Sequence, residues 1–386
     1  MKIEKSEFES RVAGIRGRLE AEGLDALMVY GDEYRKENLR YVCNYWPIFE
    51  RGACFISRDQ VIFAGAPEGE KYAREMCVWE DIRNVREFAC VSVPEEIDYP
   101  LAEFSSFRDI LGEVLKTGKR LGVAGFYDMS GFIAKRLNDA CPGLETVDAA
   151  GILNELRLIK TPAEIACLRR AGELACTAYR EFMKYAIPGN TELKATGAAE
   201  GAARMAGAEA INFTVCGTGK RADTVIGRPT EKIIEDGDMV MCAVAVQYAG
   251  YVSTVEYPFV AGTPSDGQKR FLRALFEAAN EQQKFLHDGV RSGDMVRAVK
   301  AVFARHGLSE YDVYPPMHGI GLAEAESPYP DTESNYSLRS GMCVNSDISL
   351  FGHPDGSNRI EEGFVITEKG PESLTPLIRE LVVKGI

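Results

Sequence analysis

Hydrophobic positions recur at three- and four-residue steps over residues 5–22, which predicts an amphipathic helix ending near Gly23. Apolar runs of strand length follow at 26–30, 39–42, 53–56 and 61–64, with another at 121–124. Helical periodicity at 69–77, 101–116 and 131–140 lies between them. Strands interleaved with helices predict a small α/β domain over residues 1–155.

The pattern changes at Leu158-Ile159-Lys160-Thr161-Pro162-Ala163-Glu164. Thr161 is placed to cap a helix, Pro162 to open it, and Glu164 to close a capping box. Ile165, Leu168, Gly172, Ala175, Tyr179 and Phe182 then mark one buried face, and Pro188-Gly189 stops the helix. A second helix over 191–206 precedes a long hairpin, 239–246 against 251–260, with Ala249-Gly250 at its turn. Helices at 266–287 and 293–306 and strands at 342–350 and 358–367 complete the chain. Helices set against a largely antiparallel sheet predict an α+β domain over residues 156–386.

Composition narrows the function classes. With 45% hydrophobic and 27% charged residues the chain reads as globular, and no apolar run reaches the roughly eighteen residues of a membrane span. The net charge of −13 argues against nucleic acid as a partner, because phosphate binding needs clustered Lys and Arg. Ten cysteines form no CxxC pair, which suits reduced core thiols, Cys216 and Cys242 among them. The first residues are charged and lack the apolar stretch of a signal peptide, so a cytoplasmic protein is expected.

Ionisable residues stand out where loops do not account for them. His318, one of four histidines, lies in Pro315-Pro316-Met317-His318-Gly319-Ile320-Gly321-Leu322. Asp347 interrupts a strand-like run, and Glu256 sits on the outgoing strand of the hairpin. Period-two alternation puts Arg359 and Glu361 on one face of their strand, and Ile360 and Glu362 on the other. There is no GxGxxG after a strand, and no phosphate-loop, HExxH or GxSxG motif.

The order of Leu156–Ile165, the hairpin after Gly237-Asp238, His318-Gly319-Ile320-Gly321-Leu322, Gly341-Met342 and Arg359-Ile360-Glu361 resembles the creatinase/prolidase/aminopeptidase P family over essentially the whole chain. The resemblance implies a creatinase-type N-terminal domain followed by a pita-bread domain. It also implies that the family's peptidases hold two divalent metals through two Asp, one His and two Glu. Here the Asp positions carry Ala243 and Thr254, His318 and Glu361 are kept, and Asp347 stands at the other Glu position. Histidines found in relatives fall at Ile226-Gly227 and at Ala325. Ala249-Gly250-Tyr251 with Glu256, and Phe49-x-Arg51, resemble creatinase, in which the matching groups hold a guanidinium and, across a dimer interface, a carboxylate.

These readings lead to an expected creatinase-like hydrolase or lyase without cofactor, cleaving a C–N bond of a small cationic or guanidino molecule. His318, Asp347 and Glu361 are its expected catalytic residues, and Glu256, Arg51 and Phe49 its substrate-binding residues. A homodimer is expected. One alternative is a Xaa-Pro aminopeptidase or dipeptidase with a single divalent metal at His318, Asp347 and Glu361. Another is an inactive pita-bread protein that binds without cleaving.

Overall fold

The computed structural model describes residues 3–89 and 103–385. These form two compact units, one within Ile3–Arg157 and one from Leu158 onward. The first contains α1 (Lys5–Ala21), β1 (Ala26–Asp32), α2 (Glu37–Cys43), β2 (Arg51–Ser57), β3 (Val61–Gly65), α3 (Glu70–Met76), β4 (Ile82–Asn84), α4 (Phe107–Leu115), β5 (Arg120–Ala124), α5 (Gly131–Ala140) and β6 (Glu145–Asp148). Its six strands run in the order β4-β3-β2-β1-β5-β6, with β1 antiparallel to β2 and parallel to β5. The helix α6 (Ala150–Leu158) leads on to the second unit.

The run at 39–42, expected as a strand, is helical instead. All of Leu39–Cys43 is buried in this short helix, and Glu37 lies in its first turn. Four residues, Arg40 among them, are too few for their period to separate the two structures. The helix expected at 101–116 begins only at Phe107, because Ser106 and Asp109 form a reciprocal capping box there. Residues 101 and 102, like Cys90, lie outside the described residues.

The second unit contains α7 (Pro162–Tyr185), α8 (Glu192–Met205), β7 (Ala210–Thr218), β8 (Met239–Tyr248), β9 (Tyr251–Glu256), β10 (Phe259–Val260), α9 (Asp266–Gln283), α10 (Ser292–Arg305), β11 (Met317–Gly319), β12 (Cys343–His353), β13 (Gly356–Thr367), β14 (Gly370–Ser373) and α11 (Pro376–Lys384). Its sheet runs β10-β8-β9-β13-β12-β11, with β7 paired to β8 and β14 to β13, all antiparallel. The capping box at Thr161 is formed in both directions: Thr161 N donates to Glu164 Oε2 at 2.9 Å and Glu164 N to Thr161 Oγ1 at 3.3 Å. Gly172 lets α7 approach the end of the sheet, since a Cβ there would stand 2.0 Å from the Leu374 carbonyl oxygen. One face of the sheet and the long helices share a core that includes Tyr179, Phe182, Val244, Leu275, Val299 and Ile360.

Sequence patterning missed β7, β11, β14 and α11. In β7, Ile211, Phe213 and Val215 do alternate with polar or small residues, but the register with β8 slips between Ile211 and Phe213 and blurs the period.

Candidate functional site

Strand register assembles the site. Ala243 on β8 lies opposite Glu256 on β9, Glu256 opposite Glu361 on β13, and Glu361 opposite Asp347 on β12. Directly paired residues of antiparallel strands project to the same face, so three carboxylates and one methyl group stand in a row across four strands. Arg359 shares that face, two residues before Glu361. Its Nη1 lies 3.2 Å from Glu361 Oε1 and 3.6 Å from Asp347 Oδ2, and its Nε lies 3.3 Å from Glu256 Oε2. Its Nη2 donates to the Val225 carbonyl at 2.8 Å. The sequence marks Arg359 only as a same-face neighbour of Glu361. The structure makes it the hub of the carboxylate row.

Outer contacts fix the row. Ser349 Oγ donates to Asp347 Oδ1, and Asn345 Nδ2 to Glu361 Oε2 at 3.3 Å. Glu256 is fully buried, and neither of its oxygens has a hydrogen-bond partner among the described residues. Burial pushes its carboxyl up to about 8, with Arg359 pulling the other way and Asp347 adding to the rise. Burial also holds Glu361 well above the ordinary carboxylate value, and Arg359 opposes it. Arg359 itself is raised: burial acts against its charge, and the three carboxylates outweigh burial.

His318 lies on β11, opposite Asn345. Its Nδ1 is 3.0 Å from the Gly319 carbonyl oxygen. A carbonyl can only accept, so Nδ1 carries the proton and the neutral ring keeps Nε2 as its basic atom. Nε2 stands 3.9 Å from Glu324 Oε1, and Thr254 Oγ1 donates to that same oxygen at 2.9 Å. Glu324 is a site residue that sequence reasoning missed, since it sits in an irregular segment with no periodic signal.

These groups open on a cavity of about 470 Å³ lined by His318, Glu324, Asp347, Arg359 and Glu361 on its polar side. Phe213, Val215, Ile226, Ala243, Tyr314, Pro315, Met317, Ala325 and Tyr329 supply the rest. The structure thus brings His318, Asp347 and Glu361 to one cavity. Glu256 does not line it and reaches it only through Arg359. Ile226 and Ala325 make part of the wall apolar. Phe49 and Arg51 belong to the first unit and are not among the lining residues. Phe49 is exposed, and Arg51 opens β2 opposite Asp32. Cys216 and Cys242 pair across β7 and β8 as fully buried thiols, and burial pushes Cys242 upward.

A two-unit chain with a pita-bread sheet and an ionisable cavity at its open face defines a class that the comparisons make explicit. Residues 166–368 match the model of metallopeptidase family M24, and residues 11–159 that of the creatinase/prolidase N-terminal domain. The chain belongs to metallopeptidase family M24. Its relatives include a Xaa-Pro dipeptidase of Pyrococcus furiosus, 27% identical over 289 residues, which are 75% of this chain and 82% of the relative. An uncharacterized peptidase of Bacillus subtilis is 29% identical over 240 residues, 62% of this chain and 68% of the relative. The fold is shared with the prolidase of Pyrococcus horikoshii at a TM-score of 0.81 and 22% identity, covering 95% and 98% of the two chains.

Two expectations are corrected by these findings. The creatinase-like activity on a guanidino substrate gives way, because the relatives are Xaa-Pro dipeptidases and peptidases. The expectation of no cofactor falls with it, because the family is one of metallopeptidases. The donors present nevertheless do not fit the family's metal pair. Ala243 and Thr254 offer no carboxylate, and Arg359 stands among the carboxylates that remain. Among the described residues no group of three His, Cys, Asp or Glu side chains is placed to hold a metal, so the trio His318, Asp347 and Glu361 does not fit a single ion as it stands. No helix among them is long and apolar enough to cross a membrane.

Proposed function

We propose that this chain is a peptidase of the Xaa-Pro dipeptidase or aminopeptidase type, acting on the peptide bond at the amino end of short peptides. The observation that carries the reading is the single cavity in which His318, Glu324, Asp347 and Glu361 face a wall of apolar side chains. The relatedness to a Xaa-Pro dipeptidase over most of both chains supports it. Glu324, anchored by Thr254, is placed to receive a peptide's terminal ammonium, a charge-assisted contact. Tyr314, Tyr329, Pro315 and Ile226 offer the surface that a proline ring and an apolar side chain require. His318 Nε2 is the atom that takes and returns a proton, with Asp347 and Glu361 ordering the polar side of the substrate.

A dimer would let Phe49 and Arg51 of one copy serve the carboxylate end of a peptide in the other. The support for this is the Phe49-x-Arg51 likeness to creatinase. Nine free cysteines among the described residues suit a reducing, cytoplasmic setting.

The test is chromatographic separation of products from a panel of Xaa-Pro dipeptides and tripeptides, with Mn²⁺, Co²⁺ or Zn²⁺ added in turn. Cleavage before proline, abolished in His318→Ala, is expected; no product from any peptide refutes catalysis. A second reading, peptide binding without cleavage, is favoured by Ala243 and Thr254 at the Asp positions. It predicts calorimetric binding of the same peptides with no product.

A further inference from the structure

The backbone beside the cavity holds one residue in a conformation that its side chain resists. Thr224, Val225 and Ile226 form a γ-turn, in which Ile226 N donates to the Thr224 carbonyl at 2.6 Å across Val225. Val225 has φ 62° and ψ −57°, the rare and strained form of that turn, and its branched Cβ adds to the strain of a positive φ. Such a conformation persists only where its surroundings over-determine it. Here they do. The Val225 side chain packs against Ala222, Met241 and Phe351, and its carbonyl accepts from Arg359 Nη2 at 2.8 Å. To either side, Thr224 Oγ1 donates to the Arg221 carbonyl at 2.8 Å, and the Gly227 carbonyl accepts from Cys216 N at 2.9 Å.

What the turn presents is Ile226. This side chain lines the cavity yet is 76% exposed, so core packing does not explain its place. The bond from Cys216 to Gly227 sets it beside the end of the cavity made by β7 and β8, where Val215 lies opposite Ala243 and Phe213 opposite Ala245. Phe213, Val215, Ala243 and Ile226 make that end apolar. Thr254, which anchors Glu324, lies opposite Ala245 on the next strand, so the anchor stands two strands from Phe213, about 10 Å. A peptide with its ammonium at Glu324 can lay its first side chain on this end. From this geometry we infer that Ile226, held out by the strained turn at Val225, is a specificity-determining residue that selects peptides with an apolar first side chain. Val225 is the positioning residue. A relaxed backbone there would let Ile226 swing away and open the apolar end to water.

The inference rests on the peptide reading of the cavity, and its test separates the two. Binding of Leu-Pro and Gly-Pro to the full-length protein is measured by calorimetry, with kcat/KM read instead where product forms. Wild type should favour Leu-Pro at least about tenfold, the scale on which added methylenes discriminate in an apolar pocket. Ile226→Ser should bring Leu-Pro close to Gly-Pro and leave Gly-Pro unchanged, whereas a merely structural role would weaken both alike. Val225→Gly, which relieves the turn, should erase the preference with Ile226 still present, and Ile226→Leu should keep it. Circular dichroism and melting establish that each variant is folded. A preference that survives in Ile226→Ser or in folded Val225→Gly overturns the inference, as does a wild type that binds both peptides equally. Should Val225→Gly fail to fold, Ile226→Ser decides. If neither peptide binds, the peptide reading fails and isopentylamine is compared with methylamine. Isopentylamine held more tightly by wild type than by Ile226→Ser sustains the apolar selector, and equal or absent binding overturns it.

Discussion

Glu192 offers a sharp test of how the cavity's far wall is held. It occupies the first turn of α8 and is fully buried. Its Oε1 accepts from Thr218 N at 2.9 Å and Thr218 Oγ1 at 3.1 Å, and its Oε2 from Thr230 N and Thr230 Oγ1, both at 2.9 Å. Arg221 Nε lies 3.2 Å from Oε2. One carboxylate therefore ties together both ends of the segment that carries Val225, the acceptor of Arg359, and Ile226, a lining residue. Replacing Glu192 by Ala strands the buried Thr218 N–H, at about 1–3 kcal/mol, and the half-buried Thr230 N–H at somewhat less, since water can reach it. A total near 3 kcal/mol corresponds to a fall of roughly 6–12 °C in Tm for a unit of this size. Glu192→Gln keeps the shape but turns one amide NH₂ towards donors, and should cost about half as much. The assay is thermal melting by circular dichroism together with amide exchange across residues 218–230. A Tm within about 2 °C of wild type, with unchanged exchange in that segment, would refute the clamp.

Other consequences follow from single contacts. Gly172→Ala puts a methyl group 2.0 Å from a backbone carbonyl that cannot move without shifting the sheet end, so a loss of about 1–3 kcal/mol or more is expected in urea melts. A variant as stable as wild type would show that α7 does not pack there. Glu362 is fully buried beside Arg379 at 3.2 Å, and burial raises its carboxyl to about 7 despite that partner. Between about pH 4.5 and 7 the unfolded chain releases this proton while the folded chain keeps it, so stability falls as pH rises, by roughly 3 kcal/mol in all. Glu362→Gln removes the slope: relative to wild type it should gain stability from pH 5 to pH 8 in denaturant titrations, and a constant difference would contradict the shift. Cys242, buried and with its thiol held protonated, should resist alkylation in the folded protein and react only on unfolding, which mass spectrometry of labelled peptides would read.

Much of this architecture could be read from the chain because local signals agreed with the tertiary outcome. Thr161, Pro162 and Glu164 carry a complete helix start in four residues, and the capping box forms as they dictate. Period-two alternation placed Arg359 and Glu361 on one face, where their side chains meet. What escaped was information held between strands. That Glu256 faces Glu361, and Glu361 faces Asp347, depends on the register of β9, β13 and β12, which no single strand encodes. That Arg359 lies among all three carboxylates depends on the same register. Glu324 escaped for the opposite reason, since it lies in an irregular segment where no period exists. The segment 39–42 shows a further limit: a short apolar run fits helix and strand equally, and its packing in the first unit settled the outcome.

The arrangement of Arg359 inside an M24 site is tested most directly by crystals of the wild-type protein grown with Mn²⁺ and a slowly cleaved Xaa-Pro peptide, with anomalous scattering used to locate metal. The expected map shows the peptide in the cavity with its amino end against Glu324, and Arg359 still bridging Glu256, Glu361 and Asp347. Two anomalous peaks about 3.5–4 Å apart between Asp347 and Glu361, the spacing of a working metal pair, with Arg359 turned away, would contradict it.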